Sequence, residues 1–262
     1  MNALPLAGKR VLVTRAAHQA GKLSEGLRAL GAEPVEVPVI EIRPPEDFAL
    51  LDQALRTLDS YEWLILTSAN TVQALAERAA AIEINLAAVS QLKVAAVGEA
   101  TAAAARRAGF AVALVPETYV AESLAKSLAG HTQGKKVLLV RATVARDVIP
   151  DSLREAGATV DVVDAYRNVM PESAPALLRE ALQKGIAAAA FTSSSSVTHL
   201  ADAAQKAEIE FPFAGVAAIS IGPITSKTLR ELGWEPASEA SPSDVSGLVA
   251  AVLRALADPL PL

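Results

Sequence analysis

Cysteine is absent from the 262 residues, which excludes disulfides, thiolate chemistry and cysteine-ligated metal or iron–sulfur sites. Histidine is scarce. His18, His131 and His199 are scattered with no partner at helical spacing, so they read as surface histidines rather than metal ligands. Aromatics are few as well, five Phe, three Tyr and two Trp, within a chain that is 52% apolar. The apolar weight lies in Ala, Val and Leu, which suits buried parallel strands and closely packed helices better than an aromatic-rich sandwich. Neither charge dominates: 24 Lys and Arg stand against 29 Asp and Glu, a net charge of −5. That balance predicts no general attraction to nucleic acid or to an anionic membrane. No long apolar run occurs, since the stretch from Gly185 to Ala201 carries four consecutive serines and is too polar to span a bilayer. With no cysteine and no secretory pattern at residues 1–9, a cytoplasmic protein is expected.

Nucleotide and hydrolase signatures are missing too. No G-x-G-x-x-G is present, and although Gly21 and Gly26 have the phosphate-loop spacing, Leu27 and Arg28 stand where Lys and Ser/Thr are required. The serine run lacks a G-x-S-x-G elbow, which argues against a serine hydrolase. Neither a bound nucleotide nor a metal is expected from these residues.

What the chain does have is self-similarity. GKRVLVTRA from Gly8 matches GKKVLLVRA from Gly134, and LRALGA from Leu27 matches LREAGA from Leu153, both at an offset of 126 residues. LTSANTV from Leu66 then matches FTSSSSV from Phe191 at 125, and VAAVGEAT from Val94 matches AISIGPIT from Ala218 at 124. PETYVAESL from Pro116 parallels ASPSDVSGL from Ala240. Matches in one order with so little drift point to a tandem duplication.

Within each unit, short β-branched runs alternate with amphipathic stretches. Strands are predicted at Arg10–Thr14, Trp63–Leu66, Val94–Val97, Val112–Val115, Lys136–Val140, Ala188–Phe191 and Ala217–Ile221, with a weaker one near Pro236–Ala237. Helices are predicted at Gln19–Leu30, Ala69–Ala80, Thr101–Ala108, Ala121–Ala129, Asp147–Ala156, Ser195–Gln205 and Thr225–Leu232. Gly31, Gly109, Gly157 and Gly233 sit at expected helix ends. The class is α/β, with parallel sheets flanked by helices.

Two extended segments break the rhythm: Pro38 to Pro45, and Asp164 to Pro171. If both cross between domains, one domain holds residues 1–37 and 172–262, the other holds 45–165, and the linkers are 38–44 and 166–171. The alternative is that both are edge strands.

Ligands of open α/β sheets bind beyond the carboxyl ends of strands. Those ends carry Arg15, Thr67, Ser68, Gly98, Arg141, Thr192, Ser193, Ser194 and Gly222, with Arg146 a turn beyond Arg141. Each precedes a predicted helix, whose free N–H groups and positive dipole end favour anions. Ser and Thr there are equally ordinary N-caps, and the arginines could equally pair with a neighbour such as Asp147. Tyr166 is an isolated phenol in the second connector, either a general acid or a packed tyrosine.

LVTRA, LTSANTV, AVGEAT, LLVRA, the AYR tyrosine, FTSSSSV, IGPIT and EASPSDVSGLVAAV, taken in order from about Gly8 to Leu256, resemble uroporphyrinogen-III synthases. The resemblance implies two α/β domains joined by a two-stranded linker, with the active site in a cleft. It implies cofactor-free cyclisation of the linear tetrapyrrole hydroxymethylbilane to uroporphyrinogen III, with loss of water and inversion of ring D through azafulvenium and spiro intermediates. Tyr166 matches the tyrosine that assists hydroxyl departure, Thr101 and Thr225 match the cleft threonines, and Ser68 and Thr192–Ser194 match the binding loops. Partners would be the polycarboxylate substrate and, transiently, the preceding pathway enzyme. With no long exposed apolar stripe, a monomer is expected. A two-lobed anion sensor without catalysis is the rival reading. A two-lobed glycosyltransferase is disfavoured by the missing diphosphate loop.

Overall fold

The computed structural model describes residues 4–89 and 91–257. It divides into two compact units, one formed by the described residues up to Ile42 together with those from Val169 onward, the other by Arg43–Asn168. The chain thus passes from one unit to the other at 42/43 and returns at 168/169.

The first unit contains β1 (Arg10–Val13), α1 (Gly21–Ala29) and β2 (Glu33–Glu36). Its remaining elements are α7 (Ala174–Gln183), β9 (Ala188–Phe191), α8 (Ser194–Lys206), β10 (Ala217–Ser220), α9 (Pro223–Glu231), β11 (Pro236–Glu239) and α10 (Val245–Leu256). The strands form a parallel sheet in the order β11-β10-β9-β1-β2. Alternation along β1 decides its two faces. Val11 and Val13 pack with Leu23, Leu27, Leu248 and Val252 of α1 and α10. Leu12 points the other way, into a core with Leu178, Leu200 and Leu229. That second core gathers scarce aromatics: Trp234 meets Phe191, Phe211 and Phe213 edge-on at centroid distances of 5.6, 5.2 and 5.4 Å.

The second unit contains α2 (Ala49–Arg56), β4 (Trp63–Leu66), α3 (Ala69–Ala81), β5 (Lys93–Ala96), α4 (Glu99–Arg107) and β6 (Val112–Leu114). It is completed by α5 (Ala121–Thr132), β7 (Lys136–Ala142), α6 (Val148–Glu155) and β8 (Thr159–Val169). The short β3 (Glu41–Arg43) lies at the sheet edge, in the order β3-β8-β7-β4-β5-β6. Trp63, Ile65, Val137 and Leu139 pack on one face with Leu124 and Leu128 of α5 and Ile149 and Leu153 of α6. Replacing each strand by its counterpart at the repeat offset turns the order β11-β10-β9-β1-β2 into β6-β5-β4-β7-β8.

The α/β class and the parallel sheets stand as the sequence reads. Gly31, Gly109, Gly157 and Gly233 have φ of 90°, 93°, 87° and 79°, the left-handed conformation that closes a helix. Other expectations change. The helix from Gln19 begins instead at Gly21, after a 3-10 turn at Ala17–Gln19. Helices α4 and α9 start at Glu99 and Pro223, two residues before Thr101 and Thr225. Helices α2, α7 and α10 were not foreseen. Asp164–Val169 is not a separate connector but the end of an eleven-residue strand, because β7 continues beside it as far as the Ala142–Tyr166 pair.

Candidate active site

In the second unit, β4 ends at Leu66 and α3 begins at Ala69, so Thr67 and Ser68 form the turn between them. Ser68 has extended backbone and caps α3, its Oγ accepting the Thr71 N–H at 3.0 Å. The same Oγ lies 2.9 Å from Thr71 Oγ1 and 3.1 Å from the phenolic oxygen of Tyr166. Thr67 Oγ1 lies 3.4 Å from Thr71 Oγ1. Tyr166 is only 6% exposed. Its carbonyl accepts the Thr143 N–H at 3.0 Å, which fixes the strand end. A register shift between Arg141 and Ala142 falls at the same level.

Arg141 is largely covered. Its Nη1 donates to Asp147 Oδ1 at 2.8 Å, whereas its buried Nε has no hydrogen-bond partner and lies 4.0 Å from Asp164. Arg146 is half exposed and paired with Glu122. The ion-pair alternative for the arginines is therefore realised at both positions. Gly98 opens α4, and a β-carbon there would stand 3.1 Å from Cγ of the exposed Tyr119, whose ring lies against the glycine. Thr101 is in the first turn of α4 and 4% exposed.

The first unit repeats this layout at its own strand ends. Ser193 caps α8 by accepting the Ser196 N–H at 3.2 Å, and Ser196 Oγ turns back to the Ser193 N–H at 3.3 Å, a reciprocal box. Thr192 precedes the cap, and Ser194 Oγ lies 2.9 Å from the Thr228 hydroxyl. At Gly222, which opens α9, a β-carbon would stand 2.9 Å from Ser243 Oγ, the counterpart of the Tyr119 contact. Thr225 is 4% exposed, like Thr101. Arg15 follows β1, and its Nε, like that of Arg141, is buried without a hydrogen-bond partner. Burial holds the Arg15 guanidinium below its ordinary value by penalising the charged form.

The placement of the two arginines corrects one expectation: neither stands at a helix start. Helix α1 begins only at Gly21 and α6 only at Val148, while Arg141 is still inside β7. Thr71 and Tyr119 were not singled out from sequence, although the aligned LTSANTV and FTSSSSV segments place Thr71 opposite the cap-closing Ser196. At the other ends of β4 and β7 lies a groove of about 670 Å³ lined by Tyr61, Lys136, Arg154 and Asp161. There Tyr61 donates to Asp161 at 2.7 Å, and burial, with that acceptor, pushes its phenol well above the ordinary tyrosine value. Among the described residues no helix is long and apolar enough to cross a membrane.

Known proteins share this fold. The family model for uroporphyrinogen-III synthase HemD matches residues 21–250. The uroporphyrinogen-III synthase of Synechococcus elongatus is 35% identical over 253 residues, covering 95% of this chain and 96% of that protein. A mutant uroporphyrinogen III synthase of Thermus thermophilus shares the fold with a TM-score of 0.69 at 21% identity, over 95% of this chain and 99% of that one. The uroporphyrinogen-III synthetase of Helicobacter pylori does so with a TM-score of 0.64 at 19% identity, over 94% and 99%. From the extent of the family match and the identity to the Synechococcus enzyme, the chain belongs to the uroporphyrinogen-III synthase family.

Proposed function

We propose that this protein is a cyclising hydro-lyase that converts hydroxymethylbilane to uroporphyrinogen III, acting as a cytoplasmic monomer without a cofactor. Its partners would be the tetrapyrrole polycarboxylate and, in passing, the enzyme that supplies it. The observation that carries the reading is the Tyr166 phenol, 3.1 Å from Ser68 Oγ at the carboxyl edge of a parallel sheet, in a chain of this family.

The chemistry asks little covalent help. A proton from Tyr166 reaches the departing hydroxyl of ring A and leaves with it as water, while the pyrrole nitrogen lone pair expels it and an azafulvenium cation remains. The substituted carbon of ring D attacks that cation to form a spiro intermediate, which fragments and recloses through the free position. The proton lost on rearomatisation restores the phenol, so the balance is one water released. Closure without the protein yields the non-inverted isomer, so the protein's work is to hold the bilane in the inverting conformation.

In this reading the anionic side chains of the substrate meet backbone N–H groups at Thr67, Gly98, Thr192, Ser193, Ser194 and Gly222, helped by Arg15, Arg141 and Arg146. Thr101 and Thr225, in the first turns of two helices, line the same strand ends. The passages of the chain at residues 38–44 and 166–171 would act as a two-stranded hinge between the two units.

Isomer analysis tests the proposal. Freshly generated hydroxymethylbilane is supplied, the products are oxidised, and type I and type III porphyrins are separated. A type III excess that depends on the protein is expected. Type I alone from folded protein would overturn the reading.

A further inference from the structure

The two units treat the same helix cap differently. In the first unit both hydroxyls of the cap serve the helix: Ser193 Oγ takes the Ser196 N–H, and Ser196 Oγ takes the Ser193 N–H and donates to the Ser193 carbonyl at 2.6 Å. In the second unit Thr71 replaces that serine, and its fully buried hydroxyl faces Ser68 Oγ at 2.9 Å. Ser68 Oγ in turn faces Tyr166. The repeat counterpart of Tyr166 is Ile40, which has no polar atom to offer. The hydroxyl pair therefore serves the phenol only where a phenol exists.

We propose that Ser68 and Thr71 are positioning residues for Tyr166, holding its hydroxyl in line and receiving the charge it leaves behind, rather than a carboxylate-binding pair. The inference rests on the reading of Tyr166 as the acid. Ser68 Oγ spends one lone pair on the Thr71 N–H, which leaves one acceptor site and one proton. Without substrate, Tyr166 donates to Ser68 and Ser68 donates to Thr71 Oγ1; bound substrate then takes over the phenolic hydrogen, which turns to the departing hydroxyl. When the phenolic proton departs, rotation of the Ser68 hydroxyl turns its proton toward the phenolate, and Thr71 donates to Ser68 or to Thr67 Oγ1, 3.4 Å away. Only hydroxyl hydrogens move, so the response costs little reorganisation. The site is also at the amino end of the thirteen-residue α3, whose dipole favours negative charge.

The test is a double-mutant cycle. Thr71→Val keeps the shape and the backbone cap but removes the hydroxyl, and Ser68→Ala removes the link itself. Each is made alone and with Tyr166→Phe, and kcat, KM and thermal midpoint are measured with hydroxymethylbilane. In the wild-type background each lowers kcat by about tenfold with KM nearly unchanged, the loss expected for one hydrogen bond made only in the transition state. In the Tyr166→Phe background neither lowers kcat further. A raised KM with unchanged kcat, or equal losses in both backgrounds, overturns the proposal. Failure of the acid reading looks different, because Tyr166→Phe alone would then keep full kcat. Should Ser68→Ala not fold, Thr71→Val decides the matter alone.

Discussion

The phenolic oxygen of Tyr166 and Oγ of Ser68 lie 3.1 Å apart although the residues are 98 positions apart in sequence. Their strands are not neighbours: β8 and β4 flank β7. The strand spacing puts the two backbones about 10 Å apart, a gap bridged by a tyrosine reaching sideways across the sheet end. A shorter side chain at 166 would not reach the start of α3.

Tyr166→Phe removes the proton without changing the ring. Turnover should fall by about 10²-fold or less, the lower part of the range for a general acid. The type III share of the product formed should persist, because ring inversion depends on how the bilane is held. Steady-state rates with isomer separation measure both, and undiminished turnover would remove Tyr166 from the mechanism.

Arg15 is expected to trade stability against binding. A buried Nε without a partner and a guanidinium disfavoured by burial make it a poor contributor to the unliganded fold. Arg15→Gln should leave stability unchanged or raise it by up to about 1 kcal/mol, while KM for the polycarboxylate rises about tenfold. Denaturant unfolding and initial rates give the two numbers. A large loss of stability with unchanged KM would assign the arginine a structural role.

Gly247 cannot carry a side chain. A β-carbon would stand 2.0 Å from Pro242 O and 3.0 Å from Pro242 C, backbone atoms that cannot swing aside. The residue is held in place because its N–H donates to Asp244 Oδ1 at 2.7 Å, the cap of α10, and that bond keeps the Asp244 carboxyl below its ordinary value. Gly247→Ala should cost about 3 kcal/mol from overpacking and a disturbed cap. At the repeat counterpart, Ser123→Ala should change stability by no more than about 0.5 kcal/mol. Chemical denaturation of the two variants side by side decides the contrast.

Asp52 ties α2 to α3. Arg78 donates to it through Nε and Nη2, both at 2.6 Å, and Arg78 Cζ lies 4.1 Å from the centroid of the Phe48 ring. The hydrogen bonds from Arg78 hold the Asp52 carboxyl below its ordinary value. Such a group contributes fully above the unfolded aspartate value near about 3.9 and fades as pH falls through the lower folded value. Asp52→Asn should therefore lower the thermal midpoint at neutral pH, and its gap to wild type should narrow below about pH 4. A gap independent of pH would mean that packing, not the charge, is lost.

Local physics made much of this protein legible in its residues. Runs such as Val11–Val13 and Leu64–Leu66 can hide both faces only inside a covered parallel sheet, and a glycine after an apolar stripe closes several of the helices in the left-handed conformation, as at Gly31 and Gly157. The repeat likewise placed hydroxyls, glycines and arginines at equivalent strand ends. Helices α2, α7 and α10 escaped notice because they lie outside those matched segments or on their margin.

Other features had no local signal. Thr14 Oγ1 donates to the Ala190 carbonyl 176 residues away, because β1 lies beside β9. Arg141 stays within a strand because β8 runs on beside it. Repeat alignment puts Gly247 opposite Ser123 and suggests freedom to vary, yet the Pro242 carbonyl forbids it. Residue order by itself determined which segments become strands and helices, since propensity, capping and the two-residue alternation act within a few positions. The tertiary structure alone decided which strands are neighbours, and so which hydroxyl meets the phenol, because that choice depends on burying surfaces contributed by residues far apart in the chain.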